Sequence, residues 1–116
     1  MPLITLHTAS HISDQQKNTL LVSLSRTLAE GTGKPEKYVM VTINDHGAIM
    51  LSGEVGESAL IDIRGIGGFS REVNRNLTKS LCELLKDTLG LAPDRVYITF
   101  TDVPAQNWGW NGSTFG

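Results

Sequence analysis

Leu3-Ile4-Thr5-Leu6-His7, close to the start of the chain, returns 57 positions later as Leu60-Ile61-Asp62-Ile63-Arg64. The shift needs no gap. It carries Leu20, Leu24 and Leu28 onto Leu77, Leu81 and Leu85, and Gly33 onto Gly90. It also carries Val39-Met40-Val41-Thr42-Ile43-Asn44-Asp45 onto Val96-Tyr97-Ile98-Thr99-Phe100-Thr101-Asp102. Agreement in strand, helix and turn at a single offset is the mark of an internal duplication. The chain reads as one β-α-β unit used twice, over about residues 2–46 and 59–103 of a single domain spanning 1–116.

Within each unit the local signals agree. Ser13 and Ser70 stand where helix N-caps belong, and Gln16 gives Ser13 a capping-box partner. Leucines four apart follow, widened by Leu21 in the first helix and by Val73, Leu84 and Leu89 in the second. Gly33 and Gly90 are placed to end the helices in the left-handed conformation, with Pro35 and Pro93 just beyond. Cys82 lies among the leucines and reads as a small core residue. Between the units, Ala48-Ile49-Met50-Leu51 predicts a short extra strand ending at Ser52-Gly53.

A β-α-β connection makes its two strands parallel and its crossover right-handed. Two units therefore predict an α/β (α+β) fold: a four-stranded mixed sheet with both helices on one face. The strands carry apolar residues on both faces; Val96, Ile98 and Phe100 alternate with Tyr97 and Thr99. Two helices cover one face only. The other is expected to pack against further copies of the chain, and a closed ring is the simplest arrangement.

Composition sets the outer limits. The chain has 116 residues, 40% hydrophobic and 19% charged, with a net charge of −2. One core of domain size fits that length. Neither Lys nor Arg forms a run, so nothing favours nucleic acid or a membrane surface. No apolar stretch approaches the roughly 20 residues of a membrane span. The N-terminus lacks a secretory pattern, and the expected location is the cytoplasm, with export lacking a signal peptide as the exception. One cysteine excludes an internal disulfide. His7, His11 and His46 have no metal-ligand spacing, and no metal or organic cofactor is expected. The sequons at Asn76 and Asn111 are read as coincidental.

Met1 is followed by Pro2, a small residue that favours removal of the initiator methionine. The chain would then begin with a secondary amine on a rigid ring. A terminal amine titrates at about 7.7–8.0, and apolar surroundings or a nearby cation lower that value. Such an amine is a base available near neutrality. As an interior residue Pro2 would merely begin a strand, a position where proline is tolerated.

Several motifs stand in order along the chain: Met1-Pro2, Gly31-Thr32-Gly33-Lys34-Pro35, Gly65-Ile66-Gly67-Gly68, Pro93-Asp94-Arg95-Val96-Tyr97-Ile98, and Gly109-Trp110-Asn111-Gly112-Ser113-Thr114-Phe115. With these residues and spacings the whole chain resembles the macrophage migration inhibitory factor family of the tautomerase superfamily. The resemblance implies a homotrimer whose three sheets line a central barrel. It implies a cofactor-free isomerase, a phenylpyruvate tautomerase or L-dopachrome isomerase, in which the N-terminal proline is the catalytic base. Carried over residue by residue, Pro2 is that base and Lys34 binds the substrate carboxylate. Ile66 contributes backbone to the pocket. Tyr97 comes from a neighbouring subunit, and Tyr38, Trp110 and Phe115 are aromatic positions around the mouth. Departures fall at Thr99, where vertebrate members have asparagine, at Arg64 in place of histidine, and at Trp108 in place of valine. All three bear on which substrates enter. The Cys-x-x-Cys of vertebrate members is replaced by Ser58-Ala59-Leu60-Ile61, so thiol-redox activity is not expected.

The implied substrate is a small aromatic α-keto acid. One base that takes a proton from carbon and returns it to oxygen interconverts its keto and enol forms. The alternative implied by the family is a cytokine-like signalling protein that binds a protein receptor and keeps vestigial tautomerase activity. Decarboxylation or dehalogenation by the same proline base is a third reading. Plainer structural readings stand beside these, and Trp108, Trp110 and Phe115 equally fit an interface core. Gly65-Ile66-Gly67-Gly68 matches neither nucleotide-binding glycine motif and reads as a tight turn. Lys34 alone reads as an ordinary cation near a helix C-terminus.

Overall fold

Leucines spaced by four produce two helices of equal length, α1 (Asp14–Thr32) and α2 (Arg71–Leu89), each of 19 residues. The computed structural model describes residues 1–116. Both helices begin as their caps predict. Ser13 Oγ accepts from Gln16 N while the Gln16 side chain accepts from Ser13 N, and Ser70 Oγ accepts from Val73 N. Such a cap stabilises a helix by about 1 kcal/mol. Gly33 and Gly90 close them at φ 71° and 69°. The helices touch across Gly31, where an added methyl would stand 2.3 Å from Leu77 Cδ2.

The sheet carries the duplication in its register. Its order is β2 (Met40–Asn44), β1 (Pro2–Thr8), β5 (Ala59–Gly65), β6 (Val96–Asp102). β1 runs parallel to β2 and β5 parallel to β6, while β1 and β5 are antiparallel. Leu3 faces Met40 in the first unit, and the same shift along the chain makes Leu60 face Tyr97 in the second. The central pair is related to itself: Pro2 faces Gly65, and Ala59, its repeat counterpart, faces Thr8. The expected mixed sheet is present, with a pseudo-twofold axis between β1 and β5.

Both helices lie on one face, over Ile4, Leu6, Ile61 and Ile63, all fully buried beneath Leu20, Leu24, Leu28, Leu77, Leu81 and Leu85. Burying one such side chain contributes about 1.5–3 kcal/mol, so this interface is the main source of stability. The uncovered face is more polar than the sequence pattern suggested. A row of polar side chains crosses all four strands at Thr42, Thr5, Asp62 and Thr99. Thr42 Oγ1 donates to Thr5 Oγ1 (2.8 Å), Thr99 Oγ1 donates to Asp62 Oδ1 (2.9 Å), and Arg64 Nε lies 3.6 Å from Asp62 Oδ2. Apolar groups flank that row: Met40 is 60% exposed and Tyr97 64%.

Between the units lies a small hairpin, β3 (Met50–Leu51) with β4 (Glu54–Val55). The extra strand is shorter than expected at its start. Gly47 N donates to Thr8 O and His46 N to Ser10 O, so this stretch is tied to the end of β1 instead. The guanidinium of Arg95 fastens the hairpin, donating to the carbonyls of Leu51, Glu54 and Glu57. A second hairpin, β7 (Gly109–Trp110) with β8 (Ser113–Thr114), ends the chain. No helix is long and apolar enough to cross a membrane.

Candidate active site

One end of the sheet gathers the start of β1, the start of β2 and the end of β5. The turn after β5 is shaped by two glycines in left-handed conformations, Gly67 at φ 67° and Gly68 at φ 85°. A Cβ on Gly68 would stand 2.7 Å from Lys34 Cε, so the lysine stem crosses this turn only because the position is glycine. Lys34, just beyond the end of α1, donates from Nζ to Ile66 O. Asp102 holds the same turn from the end of β6, its Oδ1 accepting from Gly67 N at 2.8 Å. Burial lowers the Lys34 pKa below the usual lysine value, and the Asp102 charge partly opposes that shift.

The chain's amine sits beside this lysine. Here it belongs to Met1, and Pro2 is buried in β1 with its nitrogen in the peptide bond. Burial first, and the Lys34 charge second, hold the amine below its usual pKa. Both effects act on the Met1 amine, one residue before the position expected to carry the base. Loss of Met1 would transfer the free amine to Pro2, next along the same strand.

Met1 lines an apolar depression of about 590 Å³ together with Leu3, Tyr38, Met40, Trp108 and Phe115. Tyr38 meets Trp110 edge to face at 6.2 Å, and Trp110 stacks on Phe115 at 6.0 Å with planes 9° apart. These geometries suit aromatic contact and present a flat apolar wall to a ligand. Volume and lining both match a small-molecule pocket. A larger groove, about 830 Å³, runs along the outer flank of α2 between Arg71, Arg75, Lys79 and Lys86. Its lining mixes these cations with Glu83, Asn74, Thr78 and Pro93, and the amine is not among them. Cys82 opens onto that groove, and burial raises its thiol pKa, which keeps it protonated and unreactive.

Of the residues singled out in the sequence, Lys34, Ile66, Tyr38, Trp108, Trp110 and Phe115 converge at this end of the sheet, with Pro2 directly behind Met1. Arg64 is the strand neighbour of Leu3, but its guanidinium turns toward Asp62 on the uncovered face. Thr99 faces Asp62 in the middle of the sheet, and Tyr97 faces Leu60 toward the far end. Within a single chain these two do not reach the depression. Sequence reasoning missed Lys37, which lines the depression, and Asp102, which braces its turn. Position relative to Tyr38 was the only available signal for Lys37. For Asp102 there was none, since its partner is a backbone amide. Nowhere do three His, Cys, Asp or Glu side chains gather as metal ligands would.

Fold and site together define a class: duplicated β-α-β domains in which the start of the chain is set into the pocket. The family model described as macrophage migration inhibitory factor matches residues 1–116. Macrophage migration inhibitory factor of Rattus norvegicus is 44% identical over 95 residues, 82% of this chain and 83% of that protein. The Xenopus laevis protein of the same name is 36% identical over 115 residues, 99% of each chain. The crystal structure of a homologue from Prochlorococcus marinus superposes with a TM-score of 0.92 at 38% identity, covering 98% of this chain and 99% of that one. The chain belongs to the macrophage migration inhibitory factor family, within the tautomerase superfamily.

Proposed function

We propose that the chain, freed of Met1, is a cofactor-free keto–enol tautomerase that uses the Pro2 amine as its general base. Its substrates are aromatic α-keto acids of the phenylpyruvate type and dopachrome-like compounds. The observation that carries this reading is a chain-terminal amine kept below its usual pKa by burial and by Lys34, at the edge of an aromatic-walled depression. Neutral Pro2 nitrogen takes a proton from the carbon next to the keto group. The C–H electron pair forms the C=C bond and the carbonyl π pair moves onto oxygen. The prolinium then returns its proton to that oxygen, giving the enol, and the reverse sequence regenerates the ketone. The Lys34 ammonium leaves Ile66 O to hold the substrate carboxylate and stabilise the developing negative charge. The apolar walls exclude water and accept the ring.

We assign the working form as a homotrimer. Tyr97 and Thr99, unable to reach the depression of their own chain, would serve that of a neighbour. The test is the ultraviolet absorbance change of phenylpyruvate with protein whose mass verifies that Met1 is gone. Losing a positioned base lowers rates by about 10²- to 10⁴-fold. Pro2→Gly keeps a terminal amine but loses the ring that aims it, so its rate is expected to fall by up to that factor. An unchanged rate overturns the proposal that the rigid secondary amine is the base. The rat and frog relatives are named as factors that inhibit macrophage migration, and the second reading, a cytokine-like protein that contacts a receptor, follows from that kind of role. Receptor binding that survives Pro2→Gly, with phenylpyruvate turnover absent from the wild type, would favour it.

A further inference from the structure

We propose that Lys37 determines specificity at this site, favouring aryl α-keto acids that carry a second negative charge on the ring. The inference rests on the tautomerase reading and adds a substrate class to it. Of the ten residues lining the depression, eight are hydrophobic and Lys37 is the one cation. It has no carboxylate partner. The ion pairs of the chain join Lys17 and His46 to Asp45 and Arg64 to Asp62. The adjacent Glu36 is turned away, its Oε2 accepting from Ser25 Oγ at 2.8 Å.

What Lys37 does touch is the aromatic wall: its Nζ lies 5.0 Å from the centroid of Tyr38. Tyr38 continues through Trp110 to Phe115. A ring lying on that wall therefore has a free ammonium within the same lining. Lys34 is committed elsewhere, at Ile66 O beside the amine, and does not line the depression. The two lysines thus divide the work. Lys34 meets the carboxylate next to the reacting carbons, and Lys37 meets an anionic substituent on the ring. A flexible cation held only by a ring face moves easily to an anion, because the charge–charge attraction is stronger than the contact it replaces.

The experiment compares phenylpyruvate with 4-carboxyphenylpyruvate as substrates of wild type, Lys37→Gln and Lys37→Arg, all verified to lack Met1. Exposed charge pairs allow about a threefold to fivefold effect. The ratio of kcat/KM for the charged over the uncharged substrate is expected to fall by that factor in Lys37→Gln, through KM rather than kcat. Lys37→Arg is expected to restore it, and added salt to shrink the wild-type preference. A ratio unchanged by Lys37→Gln overturns the proposal. Calorimetric titration of the same two compounds keeps the two readings apart. If neither compound is turned over, the tautomerase reading fails, and the binding ratio alone, judged by the same criterion, decides Lys37.

Discussion

Two amines, one acting on the other through its charge, explain most of what individual residues do here. Burial pushes both the terminal amine and Lys34 toward their neutral forms; the Lys34 charge lowers the amine further, while the Asp102 charge partly opposes the shift of Lys34. The terminal amine, with the lower starting value, is the one that loses its proton first as pH rises. A lowered amine pKa means the base form appears at lower pH. The profile of kcat/KM for phenylpyruvate is therefore expected to rise with a midpoint below about 8. It should fall again at alkaline pH as Lys34 loses its proton below the usual lysine value of about 10.4. In Lys34→Ala the rising limb should move to higher pH, since a lowering charge is gone, and the alkaline fall should disappear. A rising limb that stays in place would remove Lys34 from the electrostatics of the amine. The sequence made Lys34 legible only through its family motif. Its contact with Ile66 joins residues 32 apart, which neither periodicity nor composition reports.

At the level of elements, the duplication was readable because helix and strand periods repeat at one offset, and the register of the sheet obeys that offset pair by pair. Caps were readable for the same reason: Ser13, Ser70, Gly33 and Gly90 act through neighbours within a few residues. The hairpin β3–β4 was legible only in part. What fixes it is Arg95, whose three bonds end on backbone carbonyls that any sequence would supply. Arg95→Met keeps much of the side-chain length and removes the donors. Since partly exposed bonds of this kind contribute about 1 kcal/mol each, the substitution is expected to lower global stability modestly. It should accelerate hydrogen exchange selectively at amides of residues 50–57. Uniform acceleration across the sheet would instead assign Arg95 to the core.

For the whole molecule, the informative surface is the face that the helices leave bare. Alternation in the strands suggested an apolar second layer, yet a hydrogen-bonded polar row crosses its middle and apolar groups only flank it. Counting apolar positions strand by strand could not reveal this, because the row exists only once the register aligns Thr42, Thr5, Asp62 and Thr99. Such a face suits a wet lining with packed margins better than a dry core. On the proposed assembly, light scattering should give three times the 12.6 kDa chain mass. Tyr97→Ala should then reduce turnover although Tyr97 is remote from the depression of its own chain. A monomeric mass with full activity would dismiss the shared site.

The central claim is that a free secondary amine at Pro2 moves the proton. Its most direct measurement compares phenylpyruvate turnover by two preparations that differ only in Met1, each defined by intact mass. Protein beginning at Pro2 is expected to be active, and protein retaining Met1, whose Pro2 nitrogen is an amide, to be inactive. Equal turnover by the two would contradict the account.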